Sequence, residues 1–585
     1  MPSTKLKKWW IYPQIPASVD SVLTEYPRFL RQVLYNRDIS DPEAANVYLS
    51  AVDPGHDPFL LLDMHKAVDR LLKAIDQKEG IVIYGDYDVD GVSATALMVL
   101  LLQKYEANVH RFIPNRFEEG YGLNNESIGM LADSGAKVIL TVDCGIRSPR
   151  EADFARKSGI DLIISDHHHP KDELPQAYAV VCPKREGDPY PYKDLAGVGL
   201  AYKIAQALIA TRPVGDWQAD DWADLVALGT VADIVPLTGE NRMLVRKGLQ
   251  KIRLGTRVGI KALAGVAGKD PTRISAVDIG FILGPRLNAA GRMDSALKAY
   301  DLLICDSIEK AGVLAQQLDN QNNDRQKATK TAQDRAKELI GEDTSLNLIP
   351  AFFKVPTAAK PNVSQLGYLP GEEIYPGIVG LVAAKLTEYY YRPAIAGVVE
   401  EDYCRASCRS IPEFHITEAL DACSDLLVRH GGHSMAAGFT VKNENLPALV
   451  ERLTMIADEK LGDQDLKPVL KADAELSLDE LTPTVYQQLE QLQPTGMGNP
   501  SAQFIVRGVR FLDMRVIGKE GTHLKGTIDG SLINQAVAFN QAHWYELWRE
   551  TKTCFDILFG IEVNRYFDKE TQQINIRDMH PSEKA

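Results

Sequence analysis

The chain has 585 residues, enough for three or four domains at roughly 150 residues each. Hydrophobic residues make up 45% and charged residues 25%, the mix of a folded globular protein rather than a disordered one. With 65 Lys and Arg against 79 Asp and Glu, the net charge of −14 excludes a wholly basic nucleic-acid coat protein. It leaves room for an enzyme with a local basic groove, or with acidic groups gathered around cations.

The first 80 residues read mostly as helix. Asp41-Pro42-Glu43 has the form of a helix start, with Asp as cap and Pro in the first turn. Residues 64–78 carry Val68, Leu71, Leu72 and Ile75 at helical spacing. The opening ten residues are basic and aromatic, unlike a secretory leader. From 80 to about 235 the pattern changes to short apolar runs at 81–84, 138–142, 161–165 and 177–182, separated by helical stretches. Such runs predict buried strands of a parallel sheet with crossover helices, an α/β doubly wound domain.

Residues 311–340 read as one long, polar helix bridging domains. Residues 349–377 hold Pro and Gly and predict loop with short strands. A mixed α/β pattern returns over 378–460, with a glycine-rich turn at Gly431-Gly432. Beyond about 465, short β-like segments at 503–509, 524–528, 536–539, 555–563 and 574–576 predict a small β-barrel. The longest apolar run, 94–102, falls far short of the ~20 residues that span a bilayer, so no membrane partner is expected. Seven scattered cysteines form no disulfide framework and predict reduced thiols in a cytoplasmic protein. Cys404 and Cys408 with His430 and His433 fit no standard zinc spacing.

Three of the predicted strands run directly into acidic or histidine residues: Asp86-Tyr87-Asp88-Val89-Asp90, Asp143-Cys144-Gly145, and Asp166-His167-His168-His169. A further apolar stretch, 225–231, leads to Asp233. Ligands of open parallel sheets bind at the carboxyl ends of strands. Four acidic ends converging there repel one another and call for cations. Asp oxygens with imidazole nitrogen suit Mn²⁺ or Mg²⁺, less often Zn²⁺ or iron. Several carboxylates can bridge two such ions, ~3.5–4 Å apart, an arrangement used in phosphoryl hydrolysis. Spacing alone leaves open which of Asp86, Asp88 and Asp90 touch metal.

With these residues the chain resembles the DHH phosphoesterase superfamily, and within it the single-strand-specific exonucleases. The resemblance rests on YGDYDVDG (84–91), TVDCGI (141–146), SDHHHP (165–170), AGVG (196–199), TVADIVPL (230–237), GPRLNAAGRMD (284–294), GGHSMAAGF (431–439) and LQPTGMGNP (492–500), in family order. It implies an N-terminal region and parallel-sheet DHH catalytic domain over 1–310, and a linker helix over 311–345. A smaller α/β DHH-associated domain over 346–460 and a C-terminal OB-fold over 461–585 complete the expectation.

It further implies Asp88, Asp90, Asp143, His167 and Asp233 as ligands of Mn²⁺ or Mg²⁺, as two ions. Asp86 and His168 would orient ligands and water, and His168 would steady phosphoryl charge. Ser407 and Arg409 would hold a 5′ phosphate. Arg116, Arg286, Arg292 and His433 would contact the strand. Phe504, Arg507, Lys519, His523 and Lys525 are candidate contacts on the barrel, while His169 matches no family position and reads as a solvated loop residue. Residues 374–382, IYPGIVGLV, depart from the family's usual entry to its second domain.

The implied activity is metal-dependent 5′-to-3′ hydrolysis of single-stranded DNA to 5′-mononucleotides in recombination and repair. The implied setting is a cytoplasmic monomer working with single-strand-binding protein and a RecQ-type helicase. Two rivals are a small-nucleotide phosphodiesterase, disfavoured by the predicted barrel, and a scaffold without activity, disfavoured by the full ligand set.

Overall fold

The structure, a computed structural model, describes residues 7–50, 55–115, 122–171, 173–293, 295–341, 346–354, 368–566 and 569–583. Arg116 lies outside the described residues, as does much of the Pro-bearing stretch within 349–377. The chain forms two compact units. The larger takes in Lys7–Pro285, Leu297–Ala315 and Val469–Ala585, the smaller Arg286–Ala296 and Gln316–Pro468.

In the larger unit, helix α1 (Met64–Asp76) precedes strand β1 (Gly80–Tyr84), helix α2 (Val89–Lys104) and strand β2 (Val109–Phe112). Strands β3 (Ala136–Val142), β4 (Asp161–Ser165) and β5 (Ala179–Val181) follow, then helices α3 (Gly197–Thr211) and α4 (Ala223–Ala232). The five strands are parallel in the order β2-β1-β3-β4-β5. Strands β1, β3 and β4 read as near-continuous apolar runs because both faces of such a sheet are covered. Edge strand β2 is half exposed and shows no apolar run, so sequence pattern misses it.

Residues 225–231 belong to α4, not to a strand. Every residue from Ala223 to Thr230 is buried, so the helix has no polar face and its periodicity is hidden. Conversely, within the first 80 residues, expected to be mostly helix, Lys8–Ile11 is a strand paired in parallel with Val469–Ala472.

Helix α5 (Ile308–Ile340) is 33 residues long, begins three residues earlier than expected, and ends at Gly341 with φ +69°. The smaller unit is built on strands β6 (Ile349–Lys354), β7 (Tyr368–Glu373), β8 (Ala394–Val399), β9 (Tyr403–Arg409), β10 (Leu427–His433) and β11 (Ala436–Lys442), with helix α6 (Val379–Tyr390). Their order is β10-β11-β9-β8-β6-β7. Gly431 and Gly432 lie within β10, not in a turn; a Cβ at Gly432 would sit 2.4 Å from the Ala436 carbonyl oxygen across the hairpin. Along β9, Cys404, Ala406 and Cys408 point into one core, leaving Ser407 and Arg409 on the opposite face, the side on which α6 packs.

The C-terminal sheet has seven strands: β12 (Ala474–Glu475), β13 (Phe504–Val509), β14 (Phe511–Ile517), β15 (His523–Ile528), β16 (Gln535–Ala538), β17 (Phe555–Tyr566) and β18 (Lys569–Pro581). They run in the order β12-β13-β17-β18-β16-β15-β14 around a core of Phe504, Phe511, Phe555 and Phe559. Phe504 is 0% exposed and offers no face for stacking bases, contrary to expectation. Arg507 is held by Asp556 at 2.9 Å and Glu475 at 3.3 Å. Among the described residues, no helix is long and apolar enough to cross a membrane.

Candidate metal centre

Strand order β2-β1-β3-β4-β5 places the reversal of winding between β1 and β3, where open α/β sheets form their ligand crevice. The loop after β1 carries Asp86, Asp88 and Asp90. Asp88 caps α2: its Oδ1 accepts from the backbone N–H of Asp90 at 2.9 Å and of Gly91 at 3.1 Å. Asp90 is buried at the start of that helix and accepts on both oxygens from the N-terminus of α3, from Gly197 N–H at 2.6 Å and Val198 N–H at 2.8 Å.

Asp143 follows β3 in the left-handed region, φ +67°, strain of the kind concentrated at functional sites. A Cβ at Gly197 would lie 2.5 Å from the Asp143 Cβ, and one at Gly229 would lie 2.6 Å from an Asp90 oxygen. Within the AGVG motif, Gly197 is thus explained: only glycine there lets α3 approach Asp143 this closely.

His167 follows β4 and is buried. Its Nε2 lies 3.1 Å from Asp143 Oδ1, 3.4 Å from Asp233 Oδ2 and 3.9 Å from Asp90 Oδ2, yet makes no hydrogen bond. Burial, with His168 beside it, pushes the His167 pKa down to about 3, so these are contacts of a neutral ring rather than ion pairs. Asp233 caps the end of α4 and completes the group.

Burial and mutual repulsion raise all three carboxylates. Asp90 reaches about 7 with Asp88 adding to burial, Asp233 reaches about 9 with Asp90 and Asp88 adding, and Asp143 lies well above its ordinary value. Three clusters share these residues: Asp90, His167 and Asp233; Asp143, His167 and His168; Asp86, Asp88 and Asp143. A neutral imidazole nitrogen without a donor, facing three crowded carboxylates, is a donor set suited to hard divalent cations.

Asp166 has a role that reading the sequence left unassigned. Its Oδ2 accepts from Ile146 N–H at 2.9 Å, and its Oδ1 meets both the backbone N–H of His168 at 3.0 Å and His168 Nδ1 at 2.7 Å. Burial works to lower the His168 pKa, but the Asp166 carboxylate outweighs it and holds the ring above its ordinary value. The repeated acidic-histidine motif itself was the signal available. His169 is exposed, as expected, and its carbonyl accepts from Arg147.

Residues 80–230 match the DHH family N-terminal domain, 363–459 the DHHA1 domain and 472–578 the RecJ OB domain. The single-stranded-DNA-specific exonuclease RecJ of Bacillus subtilis is 38% identical over 555 residues, 94% of this chain and 68% of the relative. The chain belongs to the RecJ family. Crystal structures of RecJ from Thermus thermophilus in complex with Mn²⁺ and with Mg²⁺ superpose with TM-scores of 0.81 and 0.75 at 27% and 26% identity. They cover 98% of this chain and 80% and 79% of theirs.

The substrate residues expected from this RecJ-family resemblance belong to the smaller unit, apart from Arg116. Arg409 is half-buried on β9, donates from Nη1 to its neighbour's carbonyl on Cys408, and has no carboxylate partner among the described residues. Burial lowers its pKa. Its Nη2 comes within 3.1 Å, and Ser407 Oγ within 3.6 Å, of where a Cβ of Gly380 would stand, at the first turn of α6. An unpaired guanidinium, a hydroxyl and a helix N-terminus therefore share one spot. Arg286 instead pairs with Asp319 at 2.8 Å, and Arg292 donates to the Gly377 carbonyl at 3.2 Å. His433 is exposed at the end of β10, and its carbonyl accepts from Thr417.

Proposed function

We propose that this RecJ-family chain is a metal-dependent exonuclease that removes 5′-mononucleotides from the 5′ end of single-stranded DNA. The observation that carries the reading is the unbonded Nε2 of His167 facing Asp90, Asp143 and Asp233. The printed function of the Bacillus relative and the Mn²⁺ and Mg²⁺ complexes of the Thermus protein support it. Asp88, Asp90, Asp143, His167 and Asp233 would hold two Mn²⁺ or Mg²⁺ ions, with Asp86 orienting water among them. When bound, such ions polarise a phosphoryl oxygen and lower the pKa of an attacking water.

His168, whose protonated form Asp166 favours, would in that form donate from Nε2 to a phosphoryl oxygen and stabilise its charge. Ser407, Arg409 and the first turn of α6 would bind the terminal 5′ phosphate, because fixed N–H donors and a half-buried guanidinium favour a doubly charged end. Arg286, Arg292 and His433 would flank the strand, Arg286 while paired with Asp319. The family resemblance extends the reading to a cytoplasmic monomer partnered by single-strand-binding protein and a RecQ-type helicase.

The test uses single-stranded oligonucleotides labelled at either end, with Mn²⁺, Mg²⁺ or EDTA and a duplex control. Early release of a labelled mononucleotide from the 5′ end, abolished by EDTA, is expected. Release from the 3′ end overturns the polarity and the phosphate anchor, and preference for dinucleotides overturns the polymer substrate. For Arg409→Ala, KM for a 5′-phosphorylated strand is expected to rise about 10- to 100-fold, the worth of a charged hydrogen bond. The advantage of a 5′ phosphate over a 5′ hydroxyl is expected to vanish with it. An intact phosphate preference in this variant refutes the anchor.

A further inference from the structure

The larger unit holds a cavity of about 810 Å³ that shares no residue with the metal centre. Sites for small organic ligands span roughly 300–1,000 Å³. Three parts of the chain build its wall: the N-terminal region, the first turn of the helix Gly239–Leu254, and the strand Val469–Ala472 with barrel residues beside it.

The charge on this wall is unbalanced. Four cations, Arg37, Arg242, Lys471 and Arg577, face two acids, Asp38 and Asp473. Asp473 is taken by Arg37 at 3.3 Å. Arg242 is only 3% exposed and has no carboxylate partner among the described residues. Its Nε donates to the Tyr48 carbonyl at 3.2 Å, its Nη1 to the carbonyls of Leu492 at 2.7 Å and Pro494 at 3.0 Å, and its Nη2 to that of Gln491 at 3.0 Å. Carbonyl dipoles satisfy the N–H groups without cancelling the charge, and a charge shut away from water is costly unless an opposite one faces it. Burial, opposed by Tyr48 and helped by Arg246 and Arg37, pushes the Arg242 pKa down to about 10. Lys471 and Arg577 are exposed, and neither meets a carboxylate among the described residues.

The same wall carries Tyr12 and Tyr48 with Ile39, Val47 and Met243. The Tyr12 hydroxyl and the Gln503 amide have no hydrogen-bond partner among the described residues.

We propose that this cavity binds a nucleoside monophosphate, its phosphate held by Lys471 and Arg577 in the field of Arg242 and its base against the aromatic and aliphatic wall. Two features of the wall select this ligand. The surplus of cations calls for an anion, and flexible, exposed Lys471 and Arg577 can close on a phosphate. Aromatic and aliphatic side chains suit the face of a planar ring, and the Gln503 amide and Tyr12 hydroxyl suit its polar edge. The choice of a monophosphate rests on the nuclease reading, under which the chain releases such molecules at every turnover; the cavity and its charge do not.

The test is calorimetric titration of the full chain in EDTA, which keeps divalent cations off the metal centre. Deoxyadenosine 5′-monophosphate, deoxyadenosine and inorganic phosphate are the three probes. The monophosphate is expected to bind at least about tenfold more tightly than either fragment, because it engages both parts of the wall. Lys471→Ala combined with Arg577→Ala is expected to weaken it about 10- to 100-fold, the worth of a charged hydrogen bond, with the ligand-free melting midpoint unchanged. Lys471→Arg is expected to retain binding, and Asp143→Asn to bind the monophosphate as the wild type does. Binding lost in Asp143→Asn but intact in the double variant assigns the nucleotide to the metal centre and overturns the proposal. Equal affinity for phosphate and monophosphate overturns it, as does the absence of binding at millimolar concentration. A chain that binds the monophosphate here yet cleaves no strand keeps the cavity and fails the nuclease reading; one that cleaves without this binding does the reverse.

Discussion

Replacing Asp143 by Asn is expected to lower hydrolysis of single-stranded DNA by at least about 10³-fold, because Lewis-acid stabilisation is worth several kcal/mol and each 1.36 kcal/mol is a decade. Asn is chosen because it tolerates the left-handed φ of +67° that a bulkier or branched residue resists. The backbone N–H to the Ser165 carbonyl survives, and only the charge is lost. The same variant is expected to abolish the rise in melting midpoint on adding Mn²⁺. In EDTA near pH 8 it is expected to melt above the wild type, because Asp143 is buried against Asp90, Asp88 and Asp233 and its ionised form is the disfavoured one. Lower activity alone does not separate a lost ligand from a damaged fold, but a higher metal-free midpoint with a lost Mn²⁺ response does. A variant within tenfold of wild-type activity, or one still stabilised by Mn²⁺, removes Asp143 from the metal site.

The parts of this site that could be read in the sequence are those where one physical signal acts over a short span. Strands β1, β3 and β4 are buried on both faces, so they appear as apolar runs, and an acid directly after such a run marks a strand end. Asp233 is visible as an acid closing an apolar stretch, but α4 hides its helical period by being apolar all round. Strand β14 escapes because only Phe511 and Met514 are buried in it, three residues apart across an irregularity in the register, so it shows neither an apolar run nor a period of two.

The tertiary facts were out of reach. Nothing local shows that Phe504 fills a core, that Arg286 meets Asp319, or that Gly431 and Gly432 lie in a strand. Asp166 illustrates a different limit. Its motif was visible, but its work in fixing His168 depends on Ile146 N–H, twenty residues away. The strand order that puts β1 beside β3 is also a property of the sheet, and it is what turns separate acidic ends into one centre.

Without metal, the protein is expected to lose stability steadily as pH rises from about 6 to about 9, and Mn²⁺ is expected to restore more of it the higher the pH. The sign follows from the carboxylates. Asp90 and Asp233 ionise at about 7 and about 9 in the fold, against an ordinary value of 3.8. Their contribution is complete below the unfolded value and disappears as pH climbs through the folded ones, since over that window the unfolded chain binds fewer protons. His168 acts in the same direction: its raised pKa means the favourable charge against Asp166 is lost as pH rises through it. His167, at about 3, is neutral in the fold throughout, while its unfolded form gives up a proton around 6.5, so it adds an opposing rise at the low end of this window and no slope above about 8.

A divalent cation takes the place of the missing protons, so binding near pH 7 must expel them and affinity must increase with pH. Melting midpoints in EDTA and in excess Mn²⁺ across this pH range measure the divergence. Calorimetric titration in two buffers of different ionisation enthalpy counts the protons, with about one or more expected per chain near pH 7 and fewer in Asp233→Asn. A metal-free midpoint that rises towards pH 9, or Mn²⁺ binding without proton release, would mean that these carboxylates do not share the crowded, dry centre in which the strand ends place them.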